Sequence, residues 1–315
     1  MVICTRNRAA SLAVTLESAA RLHVPPGLRW ELLVVDNGSS DNTAEVAHGF
    51  MGRLPLRLVR EDISGLSNAR NRAVAEARGR YICWTDDDVI IDENWLVAYA
   101  RAFERHPEAV LFGGYITPVL QPPTPPWFGR LADQWPLTTV LAKRDFGPDA
   151  QPLDLPSGHV PWGANYAIRR AEQSQVLYEP ELGVSPRQRR VGEEAEVIYQ
   201  LIKSGNGGWW VPDAQVRHIV LPHRQTLRFV FEYSAAHGET VRYLQASRPD
   251  RHHKASNKRE MDRAAGGLIR LRALAAVNIL MFGVAWVFGV RRRALQFLTQ
   301  AGFCAGAAKF VAGGR

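Results

Sequence analysis

From Val2 to Asp88 the chain alternates between two hydrophobic periodicities, and this alternation constrains the fold more than any other feature. "MVICT", "WELLVVDNG", "LRLVRED" and "RYICWTDDD" are short apolar runs ending in turn or charged residues, the pattern of buried strands. Between them, "RAASLAVTLESAARL", "DNTAEVAHGF" and "GLSNARNRAVAEAR" place apolar and alanine positions at helical spacing. A βαβαβαβ series specifies a parallel sheet covered by helices, since parallel neighbours need a crossover between them. Ligands of such sheets bind in the crevice beyond the carboxyl ends of the strands.

Polar residues gather at those ends. Thr5 and Arg6 close the first strand, Asp36 the second, and Asp86, Asp87 and Asp88 the fourth. Three adjacent carboxylates repel one another, and placing them at the end of an interior strand is costly unless a cation or many donors compensate. A positively charged ligand is therefore expected. Beyond residue 115 the alternation fades, and the segment 118–160, containing "PVLQPPTPPWFGRLADQWP", reads as irregular structure laid over the domain. It is followed by a strand-like "VPWGANYAIRR" and by the helix "VGEEAEVIYQLIKSG", opened by acids and closed by glycine. "GGWWVPDAQVRHIV" reads as a strand and "TLRFVFEYSAAHGETVRYL" as a helix, and no internal repeat stands out.

Five strings in this order, "VICTRNR", "LLVVDNGSSDNT", "GLSNARNRAVAEARGRYICWTDDDV", "WGANYAIRR" and "GEEAEVIYQL", resemble the family 2 glycosyltransferases. These are inverting, nucleotide-sugar-dependent enzymes with the GT-A fold, and the likeness runs from residue 2 to about residue 240. The resemblance implies an α/β fold, a Rossmann-like nucleotide-binding domain with a mixed central sheet, and a bound Mn²⁺ or Mg²⁺. That ion neutralises the charge that grows on a diphosphate leaving group. The family's Asp-x-Asp motif falls on Asp86 and Asp88, which implies metal ligation by Asp88 and a role for Asp86 through sugar, ribose or metal water; Asp87 lies between them and suits either role. Asp36 matches the carboxylate that accepts hydrogen bonds from base or ribose, with Thr5 and Arg6 lining the base pocket and Arg70 approaching the diphosphate. Ser39 and Asp41 are expected to cap the next helix.

The family's base lies in a Glu-Asp pair at a helix start. Here the pair is Glu193-Glu194, with Glu194 at the aspartate position as expected base and Glu193 orienting its neighbours. The same two acids also complement a helix dipole. His218 stands where some relatives complete the metal shell, and Trp162 where relatives form the floor near donor sugar and acceptor. Trp127 and Trp135 suit either glycan stacking or apolar packing.

A formal charge of +8 suggests an acidic partner, and the position of the basic residues separates nucleic acid from membrane. They crowd between 242 and 272 and recur at Arg291, Arg292 and Arg293, on either side of the apolar segment 273–290, "ALAAVNILMFGVAWVFGV". Basic flanks around a lipid-sized apolar stretch favour a membrane surface over nucleic acid, while a buried C-terminal helix is the competing reading. A span would also put Arg291–Arg293 on the outer side, against the positive-inside tendency, so a re-entrant or interfacial hairpin of 268–290 and 294–311 is preferred to a two-span hairpin. Cys4, Cys83 and Cys304 form no even-numbered disulfide framework, which suits a reducing compartment, and no leader-like stretch precedes the first strand.

The expected organisation is a GT-A domain over 1–240, its halves 1–115 and 116–240 serving nucleotide sugar and acceptor, then a basic linker and membrane-associated hairpin over 241–315. The expected activity is transfer of a sugar, UDP-linked, to a lipid-linked or polysaccharide acceptor in envelope or exopolysaccharide synthesis, on the cytoplasmic face of a membrane. Two other classes stay open: metal-dependent phosphoryl transfer by the aspartates, and a degenerate member that only binds nucleotide and membrane.

Overall fold

The computed structural model describes residues 1–154, 160–247 and 263–313, so residues 248–262 of the expected basic linker lie outside the described residues. In chain order the first elements are β1 (Val2–Thr5), α1 (Ala9–Ala19), β2 (Leu32–Asp36), α2 (Thr43–Gly49), β3 (Leu56–Arg60), α3 (Leu66–Glu76) and β4 (Tyr81–Thr85). β5 (Val89–Ile91), α4 (Trp95–Arg105), β6 (Leu111–Leu120), α5 (Pro126–Leu131), α6 (Leu137–Val140), β7 (Asn165–Arg169) and α7 (Arg170–Gln173) follow. The chain continues through β8 (Gly183–Val184), β9 (Arg189–Arg190), α8 (Glu193–Lys203), β10 (Gly208–Val220) and α9 (Leu227–Ser247) to α10 (Leu268–Val287) and α11 (Arg291–Ala312).

It divides into two compact units. The first comprises Met1–Val119, Ala142–Gln188 and Glu193–Ile219 and holds a sheet of eight strands in the order β3-β2-β1-β4-β7-β6-β10-β5. β3, β2, β1 and β4 run parallel, as the alternation predicts, whereas β7 is antiparallel to both β4 and β6, and β10 to β5. The result is a mixed sheet.

Side-chain alternation explains why such strands read as continuous apolar runs. Leu32 and Val34 of β2 enter one core with Ile3, Leu12, Leu16, Trp95 and Tyr99, while Leu33 and Val35 enter the other with Ala69, Ala73, Trp84, Val197 and Ile198. Successive residues point to opposite faces, and both faces are covered by helices. β5, α4 and β6 continue the alternation past the last strand named from the sequence, and "WLVAYARAFER" buries Trp95, Tyr99 and Ala102 at helical spacing.

One buried polar residue ties the later strands together. Asn165 accepts from Trp95 Nε1 at 2.9 Å and Tyr99 Oη at 2.8 Å, and donates to the carbonyls of Tyr115 and Ala214, each at 2.8 Å. A fully satisfied amide in an apolar setting fixes one arrangement of its neighbours. It anchors the start of β7, just after Trp162 and Gly163.

The second unit comprises Leu120–Leu141, Arg189–Gly192 and the described part of Val220–Arg315. The boundary expected near residue 240 falls inside α9. Part of the segment read as irregular is helical: α5 and α6 follow Pro125 and Pro136, because proline is tolerated where a helix begins. Their Phe128, Leu137 and Leu141 pack with Val230 of α9 and with Leu295 and Leu298 of α11. α11 lies close against α9, and a Cβ on Gly306 would stand 1.8 Å from the carbonyl oxygen of Ala235. Only glycine allows that approach. α10 and α11 lie against each other, at the positions read as the two arms of the hairpin.

Candidate active site

The parallel strands deliver their polar ends to one edge, where short hydrogen bonds hold them. Asp36, buried, accepts from the Ser39 amide at 2.9 Å. Asn7, at φ 52°, accepts from the Ser40 amide at 2.7 Å and donates its own amide to Ser39 Oγ at 2.9 Å, linking the tips of β1 and β2. Asp41 accepts from the amides of Thr43 at 3.1 Å and Ala9 at 3.3 Å, so it serves the starts of both α2 and α1. Ser39 corrects the capping expectation, since its hydroxyl is spent on Asn7 rather than on α2.

The aspartates sit in the turn between β4 and β5. Asp87 is enclosed: it accepts from Thr5 Oγ1 at 2.7 Å and lies 3.2 Å from Arg8 Nε. Thr5 is thus turned onto Asp87. Asp88 receives Arg8 Nη2 at 2.6 Å on one oxygen and faces His218 Nε2 at 3.5 Å on the other. β10 brings His218 there through antiparallel pairing with Val89, and the Ile219 amide donates to the Asp88 carbonyl at 2.8 Å. Asp86 is the most open of the three, its side chain 36% exposed.

Arg8 carries most of the compensation, and sequence reasoning singled out Arg6 instead. The signal for Arg8 lies in "CTRNR", two arginines two positions apart at a strand end, but its partners are eighty residues away in the chain. Arg6 Nη1 is buried without a hydrogen-bond partner, an orphaned donor at the tip of β1.

A second acidic group stands at the start of α8. Arg70, buried on α3, pairs with Glu193 Oε1 at 2.6 Å and lies 3.7 Å from Glu194 Oε2. Its other terminal nitrogen is 3.8 Å from Asp86 Oδ1. One guanidinium therefore links the two acidic groups. Glu193 is buried with it, whereas the side chain of Glu194 is 18% exposed. The carboxylate of Glu194 lies over Gly163, where a Cβ would come within 3.4 Å of Oε1 and within 3.1 Å of Arg70 Nη2. Next to that glycine, Trp162 is covered on one face by the Arg144 guanidinium, 3.9 Å from the ring centroid.

Burial and mutual repulsion perturb these groups. Desolvation within the cleft, then Asp88, push the Asp86 carboxyl up against the opposing pull of Arg70 and His218, although its side chain is partly exposed. Burial pushes Asp87 up to about 7 despite Arg8. Glu193 is likewise raised to about 7, first by burial and then by Glu194, with Arg70 opposing. Cys4, beneath the same edge, is raised to about 12 by burial and stays a thiol.

Among the described residues no three or more His, Cys, Asp or Glu side chains gather into a metal cage. The donors present fit a different kind of site. Asp88 Oδ1 and His218 Nε2, 3.5 Å apart beside Asp86, suit a hard cation that takes its remaining ligands from a diphosphate and water. The raised Asp86 and Asp87 mark a place where added positive charge is favourable.

A mixed eight-stranded sheet, parallel in its first half and carrying acids beyond its strand ends, is the architecture of the GT-A glycosyltransferases, and solved structures share it. The mannosyltransferase PcManGT from Pyrobaculum calidifontis, in complex with GDP-Man and Mn²⁺, superposes with a TM-score of 0.62 at 17% identity, over 99% of this chain and 86% of that one. Staphylococcus aureus TarS 1–349 in complex with UDP gives a TM-score of 0.51 at 16% identity, over 100% and 90%. The family itself is set by sequence: this chain belongs to glycosyl transferase family 2, whose model matches residues 1–171, just over half of it. A poly-beta-1,6-N-acetyl-D-glucosamine synthase of Staphylococcus epidermidis is 28% identical over 103 residues, 32% of this chain and 24% of that protein. A PGL/p-HBAD biosynthesis glycosyltransferase of Mycobacterium tuberculosis is 33% identical over 120 residues, 37% and 46%. The matched stretch spans less than half the length of either relative.

Proposed function

We propose that this glycosyltransferase transfers a sugar with inversion from a UDP-linked donor, assisted by a divalent cation, to a hydroxyl of a lipid-linked or glycan acceptor of the cell envelope. The observation that carries the reading is the position of Arg70 between Asp86 and the Glu193-Glu194 pair. One buried guanidinium thus stands beside both a donor-side carboxylate and a candidate base, so the two acids border the same place.

Asp88 and His218 would hold the cation, which when bound neutralises charge on the diphosphate. Asp86 is open enough to accept a hydrogen bond from the donor's sugar or ribose, and Asp36 serves base or ribose at the tip of β2. Arg6 offers its unpaired Nη1 to a donor oxygen. Asp87 positions: fastened to Thr5 and Arg8, it fixes the turn that presents its two neighbours. Glu194 takes the proton of the acceptor hydroxyl as that oxygen bonds to the anomeric carbon and the bond to the diphosphate oxygen breaks. The raised pKa of Glu193 alone would nominate it as base, but its burial and its 2.6 Å pairing with Arg70 keep it from a substrate. Trp162, braced by Arg144, forms an apolar wall for a sugar ring.

The TarS complex with UDP supports a uridine donor, and the envelope products in the relatives' names support the acceptor class. The test is release of free nucleoside diphosphate from a panel of UDP- and GDP-sugars, with and without Mn²⁺ and with acceptor lipids or glycans. Cation-dependent release from a UDP-sugar, accelerated by acceptor, is expected. Release from a GDP-sugar alone would replace the donor, and cation-independent release would remove the role given to Asp88 and His218.

A further inference from the structure

α10 inverts the usual distribution of a surface helix. It is twenty residues long, and Ile269, Leu280 and Val287 are 87%, 67% and 81% exposed, with Phe288 just beyond its end at 77%. It runs alongside α11, yet its buried side chain is Leu271, which packs with Phe303 and Ala307 of α11; Phe282 joins the cluster around Leu295, and Trp286 meets Trp127 edge to face. From Ala273 to Phe288 the one polar side chain is Asn278, which bonds back to the Leu274 carbonyl. A helix facing water carries a polar outer face, and this one carries an apolar one.

The charges nearby point to what covers it. From Arg263 to Gly313 the chain has no Asp or Glu, and it carries Arg270, Arg272, Arg291, Arg292, Arg293 and Lys309 as well as Arg263. Arg270, Arg272, Arg292 and Arg293 are exposed, two near each end of the apolar stretch. Arg291 lies over the ring of Trp286, 4.0 Å from its centroid, a pairing suited to the headgroup level of a bilayer. Against a second copy the arrangement is unfavourable. In either relative direction, two α10 helices set basic ends beside basic ends.

We infer that α10 lies in the plane of an anionic lipid surface, its outer face in the acyl boundary and its flanking arginines among phosphate headgroups. The packing of its companions argues against a span. The uncharged part of α11 between Arg293 and Lys309 is fifteen residues, about 22 Å of helix, short of a hydrocarbon core of about 30 Å. It contains Gln296, Thr299 and Gln300, and α9 behind it carries Glu232 and His237, all partly exposed. Hydrocarbon on all sides of that bundle would leave these groups without water. A surface placement leaves them in it.

The test is flotation of the full chain with vesicles of phosphatidylcholine alone or mixed in equal parts with phosphatidylglycerol. Binding to the mixed vesicles is expected, weakening as salt rises. Each buried aliphatic side chain is worth on the order of tenfold in partition. Val277→Asp with Leu280→Asp should therefore lower it about 10²-fold, with circular dichroism and melting unchanged. Arg292→Gln with Arg293→Gln should weaken it about tenfold at low salt and less at high salt. In vesicles with protein added outside, Arg272→Cys and Arg293→Cys should both react with an impermeant maleimide. Protection of one of them would show a span and overturn the in-plane placement. A chain that fails to float, or forms a lipid-free dimer that the aspartates dissociate, would overturn the lipid surface.

Discussion

The aspartates of the β4-β5 turn and the glutamates at the start of α8 are both buried acids held by an arginine, yet the two arginines differ in how firmly they are fixed. The Arg8 side chain is 29% exposed and reaches Asp87 and Asp88 from the rim, whereas that of Arg70 is 5% exposed and wedged between Glu193 and Asp86. A rim guanidinium is able to move aside for another cation; an interior one is part of the packing. On the reading proposed above, the aspartates would exchange their positive partner for a cation, while the glutamates keep theirs.

The largest effect expected from this division is on turnover. Glu194→Gln keeps shape and removes the proton acceptor, so kcat should fall by about 10² to 10⁴. Glu193→Gln should fall less, because Glu193 touches Arg70 and not the acceptor. Equal losses in steady-state kinetics would merge the roles of the pair.

Next comes stability. Arg70→Gln leaves buried carboxylates without their counter-charge and should cost about 3 to 5 kcal/mol in urea unfolding. Arg8→Gln should cost less, because the Arg8 side chain is partly solvated, and added Mn²⁺ should raise its melting temperature while failing to rescue Arg70→Gln. Equal costs, or rescue of both, would erase the contrast between rim and interior.

A smaller effect follows from the Glu193 carboxyl, raised to about 7 in the folded chain from an ordinary 4.5. The folded state then holds a proton that the unfolded state has lost between those values, so stability falls as pH rises through this window and is flat beyond it. Without metal, Glu193→Gln should remove at most about 3 kcal/mol of that decline between pH 5 and pH 8. An unchanged decline in the variant would place the titration elsewhere.

How much of this is legible in the sequence follows from how local each feature is. The short apolar run ending in a charge in "LLVVD" and the alanine spacing of "NARNRAVAEA" are local, and so β1 to β4 with their helices can be read directly. So can the arms of the hairpin, expected at 268–290 and 294–311 and found as Leu268–Val287 and Arg291–Ala312. The acidic motifs are legible as motifs. Their partners are not, because Arg8 meets Asp88 across eighty residues and Arg70 meets Glu193 across 123, distances over which no pattern in the chain carries information. Asn165 is hidden for the same reason: inside "WGANY" it looks like a turn residue, and only the folded sheet brings Trp95, Tyr99 and the Ala214 carbonyl to it.

The division of labour itself is tested most directly by carrying Asp88→Asn and Glu194→Gln through the same two assays, calorimetric binding of UDP with Mn²⁺ and release of UDP from the donor in the presence of acceptor. Asp88→Asn should lose cation-dependent binding and, with it, turnover, while Glu194→Gln should bind as tightly as the unaltered chain and release little or no UDP. Cation-dependent binding that survives in Asp88→Asn, or binding that fails in Glu194→Gln, would contradict the assignment of donor to the aspartates and proton transfer to the glutamate.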